Sequence, residues 1–394
     1  MIPYGRQDVT DADIDSVVRV LRSDFLTQGP AVPRFEQAVA QRVGAKHAVA
    51  VNSATSALHI ACVALGLGPG DWLWTVPNTF VASANCGLYC GAQVDFVDID
   101  PVSWNMSTEL LSEKLAAAKK AGKLPKIVVP VHFAGHPSDQ EHIWALAQEF
   151  GFKVLEDASH AIGASRNGEP VGNCRWSDVT VFSFHPVKII TSGEGGMALT
   201  NHEEVAARME MLRSHGITRK PDRFLQNAAP PWHYEQQLLG FNYRMTDLQA
   251  ALGLSQLQRL ADYVERRNAL ARRYEASLRD LALQLPVVQP ATRSAFHLYV
   301  VRVKAEWAGA KRAGIFGDLR SRGIGVNVHY TPVHLQPFYK QLGFVDGQFP
   351  ESERYGQTAI SLPLFPGLTD GMQDQVVSAV AAALKNPMQL SGSL

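Results

Sequence analysis

A lysine attacks an aldehyde well only when something lowers its proton affinity and holds it near its target. Lys188 has such a setting, between the short apolar run Val179–Phe182 and the glycine-rich turn Gly193–Gly196. Asp157 ends a similar run that begins at Lys153. Both runs read as buried strands, being brief, apolar and followed at once by polar residues. In open α/β sheets ligands bind outside the carboxyl ends of the strands, so the two side chains are expected to meet there. The chemistry they suggest is a Schiff base between Lys188 and an aldehyde cofactor, with Asp157 keeping the cofactor's ring nitrogen protonated.

A flat ring bearing an aldehyde and a phosphate needs two further things, and the sequence offers both. Asn52-Ser53-Ala54-Thr55 follows the strand-like Ala48–Val51 and opens a helix that runs to Leu65. Backbone N–H groups and the positive end of the helix dipole suit an anion there, although an ordinary Ser/Thr N-cap reads the same way. The dipole contributes only ~0.3–1 kcal/mol at a surface and up to ~2 kcal/mol when partly buried. Hydroxyls must therefore add directional bonds, and Ser53, Thr55, Ser56 and Ser183 are the candidates. Phe80 follows the strand-like Trp72–Val76 and offers a stacking face, with the Ala158–Ala161 turn on the other side of the ring. The order phosphate cap, aromatic, Asp, Ser, Lys and glycine-rich turn points to pyridoxal 5′-phosphate, cycling with pyridoxamine 5′-phosphate.

These residues must be carried by a sheet. An acidic cap, Thr10–Asp13, opens a helix with apolar period through Ile14, Val17, Val18 and Leu21, and a second helix is predicted from Arg34 to Val43. Between them, Ser23–Pro33 is read either as a plain connector or as a wall of the site. Further strands are predicted at Gln93–Val97, Lys126–His132 and Gly195–Thr200, and helices at Ser107–Lys120, Asp139–Phe150 and Glu203–Arg213. This alternation predicts an α/β fold, a mainly parallel sheet with helices on both faces. Gln226–Gly240 reads as an irregular loop. Thr246-Asp247 then caps one amphipathic run from Leu248 to about Leu281, a spine joining two domains. The large cofactor-binding domain, with an N-terminal arm, is expected over residues 1–250 and a smaller α+β domain over 251–394. In the latter, Phe296–Val303 and Gly325–His329 are predicted strands, Ala310–Arg320 a helix, and Asn386–Leu394 a frayed tail.

With 394 residues, 46% hydrophobic and 19% charged, the chain has the length and composition of a two-domain globular protein. Its 37 basic and 37 acidic residues balance, which argues against nucleic acid or an anionic membrane as partner. No window reaches a membrane span, and the first residues lack a signal-peptide pattern. Four scattered cysteines suit a reducing compartment, so a cytoplasmic location is expected. Cys86 and Cys90 have metal-ligand spacing, but with no Cys or His pair close in sequence they read as buried small hydrophobes, and no metal is expected.

The segments NSATSALHIA, VPNTFVASANC, EDASHAIG, FSFHPVK, GEGGM and GFNYRMTDLQAALG together resemble the DegT/DnrJ/EryC1/StrS family of pyridoxal-phosphate-dependent sugar aminotransferases, over Tyr4 to about His334. The resemblance implies the type I fold of pyridoxal-phosphate transferases, with Lys188 bonded to the cofactor and Asp157 on its ring nitrogen. It puts His160 near the cofactor's phenolic oxygen, Phe80 against the ring, and Thr55 and Ser183 on the phosphate. Asn242 matches a residue that reaches the phosphate of the neighbouring subunit, which implies a homodimer with shared active sites.

The opening around Tyr4, SDFLTQGP with Thr27, and VNVHYTPVHLQP with His329 resemble a subgroup that aminates C4 of a UDP-linked 4-keto-6-deoxy-N-acetylhexosamine on the way to pseudaminic acid. The sequence SFH before the lysine is similar to relatives acting on 4-keto-pentose nucleotides, so another nucleotide-linked keto sugar stays open. The implied reaction is ping-pong. An amino acid, by resemblance glutamate, displaces Lys188, whose freed amine moves the proton before the steps run backward on the keto sugar. Arg219 and Arg244 are both candidates for the donor carboxylate, and His329 is read as a sugar contact or as a structural histidine. A sugar dehydratase of the same family resembles this chain but carries histidine in place of Lys188. A non-catalytic sensor on the fold would tolerate loss of Lys188 or Asp157. A zinc enzyme drawing on the 13 histidines is the least supported reading.

Overall fold

Seven strands form the central sheet of the computed structural model, which describes residues 1–226 and 230–385. They are β1 (His47–Val51), β2 (Trp72–Thr75), β3 (Gln93–Phe96), β4 (Ile127–Val128), β5 (Lys153–Asp157), β6 (Val179–Ser183) and β7 (Gly196–Thr200), in the spatial order β1-β7-β6-β5-β4-β2-β3. Neighbours are parallel from β6 to β3, whereas β7 runs antiparallel to both β1 and β6. The sequence did not announce that reversal. Its cause is local: the segment from Phe184 to Gly195 holds no helix to carry the chain back across the sheet, so the next strand returns alongside. Lys188 sits on this return loop. Asp157 is in register with Val181 on the adjacent β6, so both strands deliver their last residues to one edge.

Helices α1 (Asp11–Leu21), α2 (Ala31–Val43), α3 (Ala54–Ala64), α4 (Ala82–Tyr89), α5 (Thr108–Ala121), α6 (Gln140–Phe150), α7 (Glu203–Leu212) and α8 (Asp247–Leu257) accompany the sheet. The two-residue period of β6 sorts its side chains between two buried clusters. Val179 and Val181 join Leu58, Ile60 and Met209, while Phe182 joins Phe35, Val39 and Ala250. Both faces are therefore covered.

The predicted single spine is two helices. The chain breaks at Gln258–Arg259 and resumes as α9 (Leu260–Leu278). Leu260, Tyr263 and Val264 still pack with the Phe35 cluster, whereas Leu270, Tyr274 and Leu278 enter a different cluster. That second cluster lies on a three-stranded antiparallel sheet, β8 (Leu283–Gln284), β9 (Tyr299–Val303) and β10 (Ala359–Leu362), with helices Ala310–Ser321 and Asp370–Lys385. The division into two domains stays a proposal, supported by this separate packing. The predicted strand Gly325–His329 is only two isolated bridges, Ile324 to Ile2 and Asn327 to Ser361. Gly325 explains the first: a Cβ there would stand 2.8 Å from the Ile2 carbonyl oxygen, so only glycine lets the N-terminus run alongside. The predicted tail Asn386–Leu394 lies outside the described residues, as do positions 227–229 of the predicted loop. Among the described residues no helix is long and apolar enough to cross a membrane.

Candidate active site

A cavity of ≈ 940 Å³ opens at the carboxyl ends of β5 and β6, and both Asp157 and Lys188 line it. The loop under Lys188 is pinned: the Ser192 N–H donates to the Phe184 carbonyl at 3.0 Å, as does Thr191 Oγ1 at 2.9 Å. Ile189 and Ile190 are buried directly behind it. Burial lowers the Lys188 amine to about 8, with the Asp157 charge partly opposing. About a tenth of the amine is thus unprotonated at pH 7 and about half at pH 8.

Asp157 is held by both oxygens. Oδ1 accepts the Ser159 N–H at 3.0 Å, and Oδ2 accepts the Ser83 hydroxyl at 2.6 Å. Beside it, His160 is buried, with Nδ1 accepting the Ala134 N–H at 3.3 Å and Nε2 standing 3.3 Å from Tyr330 Oη. A neutral imidazole carries one ring proton, so the backbone donor at Nδ1 places it on Nε2. Burial, then the charges of Lys188 and His329, keep His160 well below the usual histidine range. His297, its ring centroid 4.4 Å away, is held down in the same way, and burial brings His329 to about 4. Neutral imidazoles therefore line the cavity around the amine. His329 is also tied into the fold, Nδ1 lying 2.7 Å from Ser361 Oγ, while Tyr4 packs 5.5 Å from its ring.

The anion end lies at the start of α3. Ser53 Oγ caps the helix by accepting the Ser56 N–H at 3.1 Å, and the Ser56 hydroxyl donates to Asn52 Oδ1 at 2.7 Å. Those two hydroxyls serve the turn itself. The N–H groups of Ala54 and Thr55 find no acceptor among the described residues, as expected of a first helical turn. Thr55 and Ser183 line the cavity beside them. Gly196 makes this approach possible: a Cβ there would meet Ala54 N at 2.4 Å and the Ser53 carbonyl carbon at 2.5 Å. Phe80 stands at the mouth, 58% exposed, 6.3 Å from the Tyr330 ring. An amine, a fixed carboxylate, an aromatic face and an anion cradle on one cavity fit pyridoxal 5′-phosphate.

Thr27 and Asn242 do not line the cavity of their own chain. Thr27 is exposed and bridges Thr246; Asn242 is exposed and bridges Ser214. Arg219 stacks on Tyr234 at 5.6 Å, Arg244 bridges Val51, and no arginine is among the cavity-lining residues. Sequence reasoning missed Ser83, His297, Tyr330 and Gln249. A polar His297 beside the apolar run Leu298–Val301 was a signal available for one of them. Cys62, Cys86 and Cys90 are free thiols. His132 and His136, spaced HxxxH, flank a 3-10 turn rather than share a helix, and among the described residues no group of three or more His, Cys, Asp or Glu is arranged to hold a metal.

The sheet order and this site define a pyridoxal-phosphate-dependent transferase of fold type I. Residues 7–381 match the DegT/DnrJ/EryC1/StrS aminotransferase family, and the chain belongs to it. It is 40% identical over 388 residues to the spore coat polysaccharide biosynthesis protein SpsC of Bacillus subtilis, covering 98% of this chain and 97% of that one. Helicobacter pylori PseC, an aminotransferase involved in the biosynthesis of pseudoaminic acid, superposes with a TM-score of 0.89 at 30% identity, covering 98% of this chain and 99% of PseC. The putative sugar aminotransferase Spr1654 of Streptococcus pneumoniae in its pyridoxamine-phosphate form gives 0.89 at 29% identity over 98% and 100% of the two chains, and its pyridoxal-phosphate form is similar too. The protein is a sugar aminotransferase dependent on pyridoxal phosphate, working on a sugar and an amino donor.

Proposed function

We propose that the enzyme transfers the amino group of L-glutamate to C4 of a nucleotide-linked 4-keto-6-deoxy sugar, namely UDP-4-keto-6-deoxy-N-acetylhexosamine in pseudaminic acid formation. The observation that carries the reaction type is one cavity shared by Lys188 and Asp157. Pyridoxal phosphate bound there supplies an electron sink for the charge left when a proton leaves the carbon bearing the amine. Lys188 Nζ, lowered to about 8, takes that proton and gives it back, as a base and acid must near its own pKa. Asp157 would keep the ring nitrogen protonated, His160 would stand near the phenolic oxygen, and Phe80 would cover the ring. Thr55, Ser183 and the start of α3 hold the phosphate, with Ser53 and Ser56 fixing that turn.

The cavity lies at the upper end of the usual range for small-molecule sites, which leaves room for a nucleotide sugar beyond the cofactor. Tyr4 and His329 form the wall assigned to that sugar. Thr27 and Asn242 point to a second chain as the remaining wall, in a homodimer with shared sites. Leu225, Trp232, Tyr234 and Leu239 are all exposed on the loop leading to Asn242, which supports such an interface. The likeness of the Tyr4, Thr27 and His329 segments to the pseudaminic acid subgroup supports the sugar, as does the similarity to PseC. Amino transfer from glutamate to a panel of nucleotide-linked 4-keto sugars, with products read by mass spectrometry, tests the substrate. The N-acetylated UDP sugar should react fastest. Amination confined to a 4-keto-pentose or a sugar without the acetamido group would overturn the assignment.

A further inference from the structure

We propose that Ser83, aligned by Thr79, is a positioning residue that orients the Asp157 carboxylate and sets its hold on the proton of the cofactor's ring nitrogen. The proposal deepens the reading of Asp157 as the ring-nitrogen partner and rests on it. Ser83 lies on the first turn of α4 and is fully buried, Thr79 is 3% exposed, and neither was part of the sequence-level site. Ser83 Oγ stands 2.6 Å from Asp157 Oδ2, and Thr79 Oγ1 stands 2.7 Å from Ser83 Oγ.

The direction of this relay follows from what each group is able to give. An ionised carboxylate only accepts, so the proton between Ser83 and Asp157 belongs to Ser83. A hydroxyl has one proton, so Ser83 meets Thr79 as an acceptor, and the proton in that bond is Thr79's. Thr79 donates to Ser83, and Ser83 donates to Asp157. The 2.6 Å separation falls in the charge-assisted range. With Ser159 N–H on Oδ1, each carboxylate oxygen keeps one bond to the protein and leaves its remaining lone pairs for the ring. Losing the Ser83 donor leaves Oδ2 buried and under-solvated. The carboxyl is then free to rotate, which weakens its grip on a pyridinium N–H.

The test compares two ligands on Ser83→Ala: pyridoxal 5′-phosphate itself, and an analogue with the ring nitrogen replaced by carbon. Binding to the purified protein is followed by absorbance or fluorescence titration. A hydrogen bond to a charged group sets the expected loss at roughly 10- to 100-fold for pyridoxal phosphate. Affinity for the carbon analogue should stay within about two-fold, because the relay has no ring proton to act on. Equal losses for both ligands would mean that Ser83 only packs α4, and the proposal falls. Thr79→Val carries the same comparison at a less intimate position. It should show the same selective loss at smaller size, so a folding failure of Ser83→Ala leaves the idea testable. A wild-type protein that binds the two ligands equally well would count against Asp157 as ring partner, a failure distinct from that of Ser83.

Discussion

An amine captures an aldehyde only in its neutral form, and an ordinary lysine with a pKa near ~10.4 offers about one per cent or less of it at pH 8. Burial lowers Lys188 to about 8, against the pull of Asp157. Capture of pyridoxal phosphate by cofactor-free protein, followed by its absorbance and fixed by borohydride, should therefore speed up with pH and level off above about 8. A midpoint near that of free lysine would contradict the burial argument. Asp157 raises this pKa, so Asp157→Asn should move the midpoint lower. The same shift has a sign for stability. The folded amine loses its proton near 8 and the unfolded one only above 10, so between those values the unfolded state binds more protons and cofactor-free protein gains stability as pH rises. Lys188 and Asp157 were legible in the sequence because each is a reactive group directly after a short apolar run. Ser83 was not, since its contact with Asp157 joins residues separated by 74 positions and its own neighbours are those of any small-residue helix.

The anion cradle is a property of two elements in contact, not of either alone. The strand–cap–helix pattern of β1 and α3 revealed where an anion belongs, but not that β7 presses against that cap through Gly196. The connection from Phe184 to Gly195 is just long enough for a crossover, so its lack of a helix, the reversal at β7 and the reason for the glycine-rich turn appeared only in three dimensions. The break at Gln258–Arg259 escaped for a related reason: apolar spacing continues across it, and Leu257 before it and Leu260 after it pack into the same cluster. Gly196→Ala tests the contact. A methyl group 2.4 Å from Ala54 N cannot be absorbed by a rotating side chain, so strand and helix start must separate. Overpacking of this kind costs roughly 1–3 kcal/mol, measurable as a lower Tm. Because the displaced atoms are the cradle itself, inorganic phosphate and pyridoxal phosphate should both bind more weakly. Unchanged Tm and affinities would show that the approach is not needed.

At the scale of the molecule, a single chain supplies the amine, the acid and the anion cradle, but no arginine on the cavity and no role for Asn242. Exposed Trp232 and Leu239, on the loop leading to Asn242, give that end of the protein an apolar surface suited to a second copy. Shared sites make a prediction that separate sites do not. Lys188→Ala removes the proton carrier of its own chain, and Asn242→Asp sets a negative charge where the neighbouring phosphate is expected to bind, so each homodimer should be inactive. In a hybrid dimer, the chain that keeps Lys188 receives an intact Asn242 from the other, and one of its two sites is whole. Random reassortment gives half hybrids, each with one working site, so mixing after mild dissociation should recover about a quarter of wild-type activity. Were Asn242 to act on its own chain's cofactor, neither type of site in the hybrid would be complete. The mixture would then stay as inactive as its parents, with size-exclusion chromatography and mass spectrometry confirming that exchange had taken place.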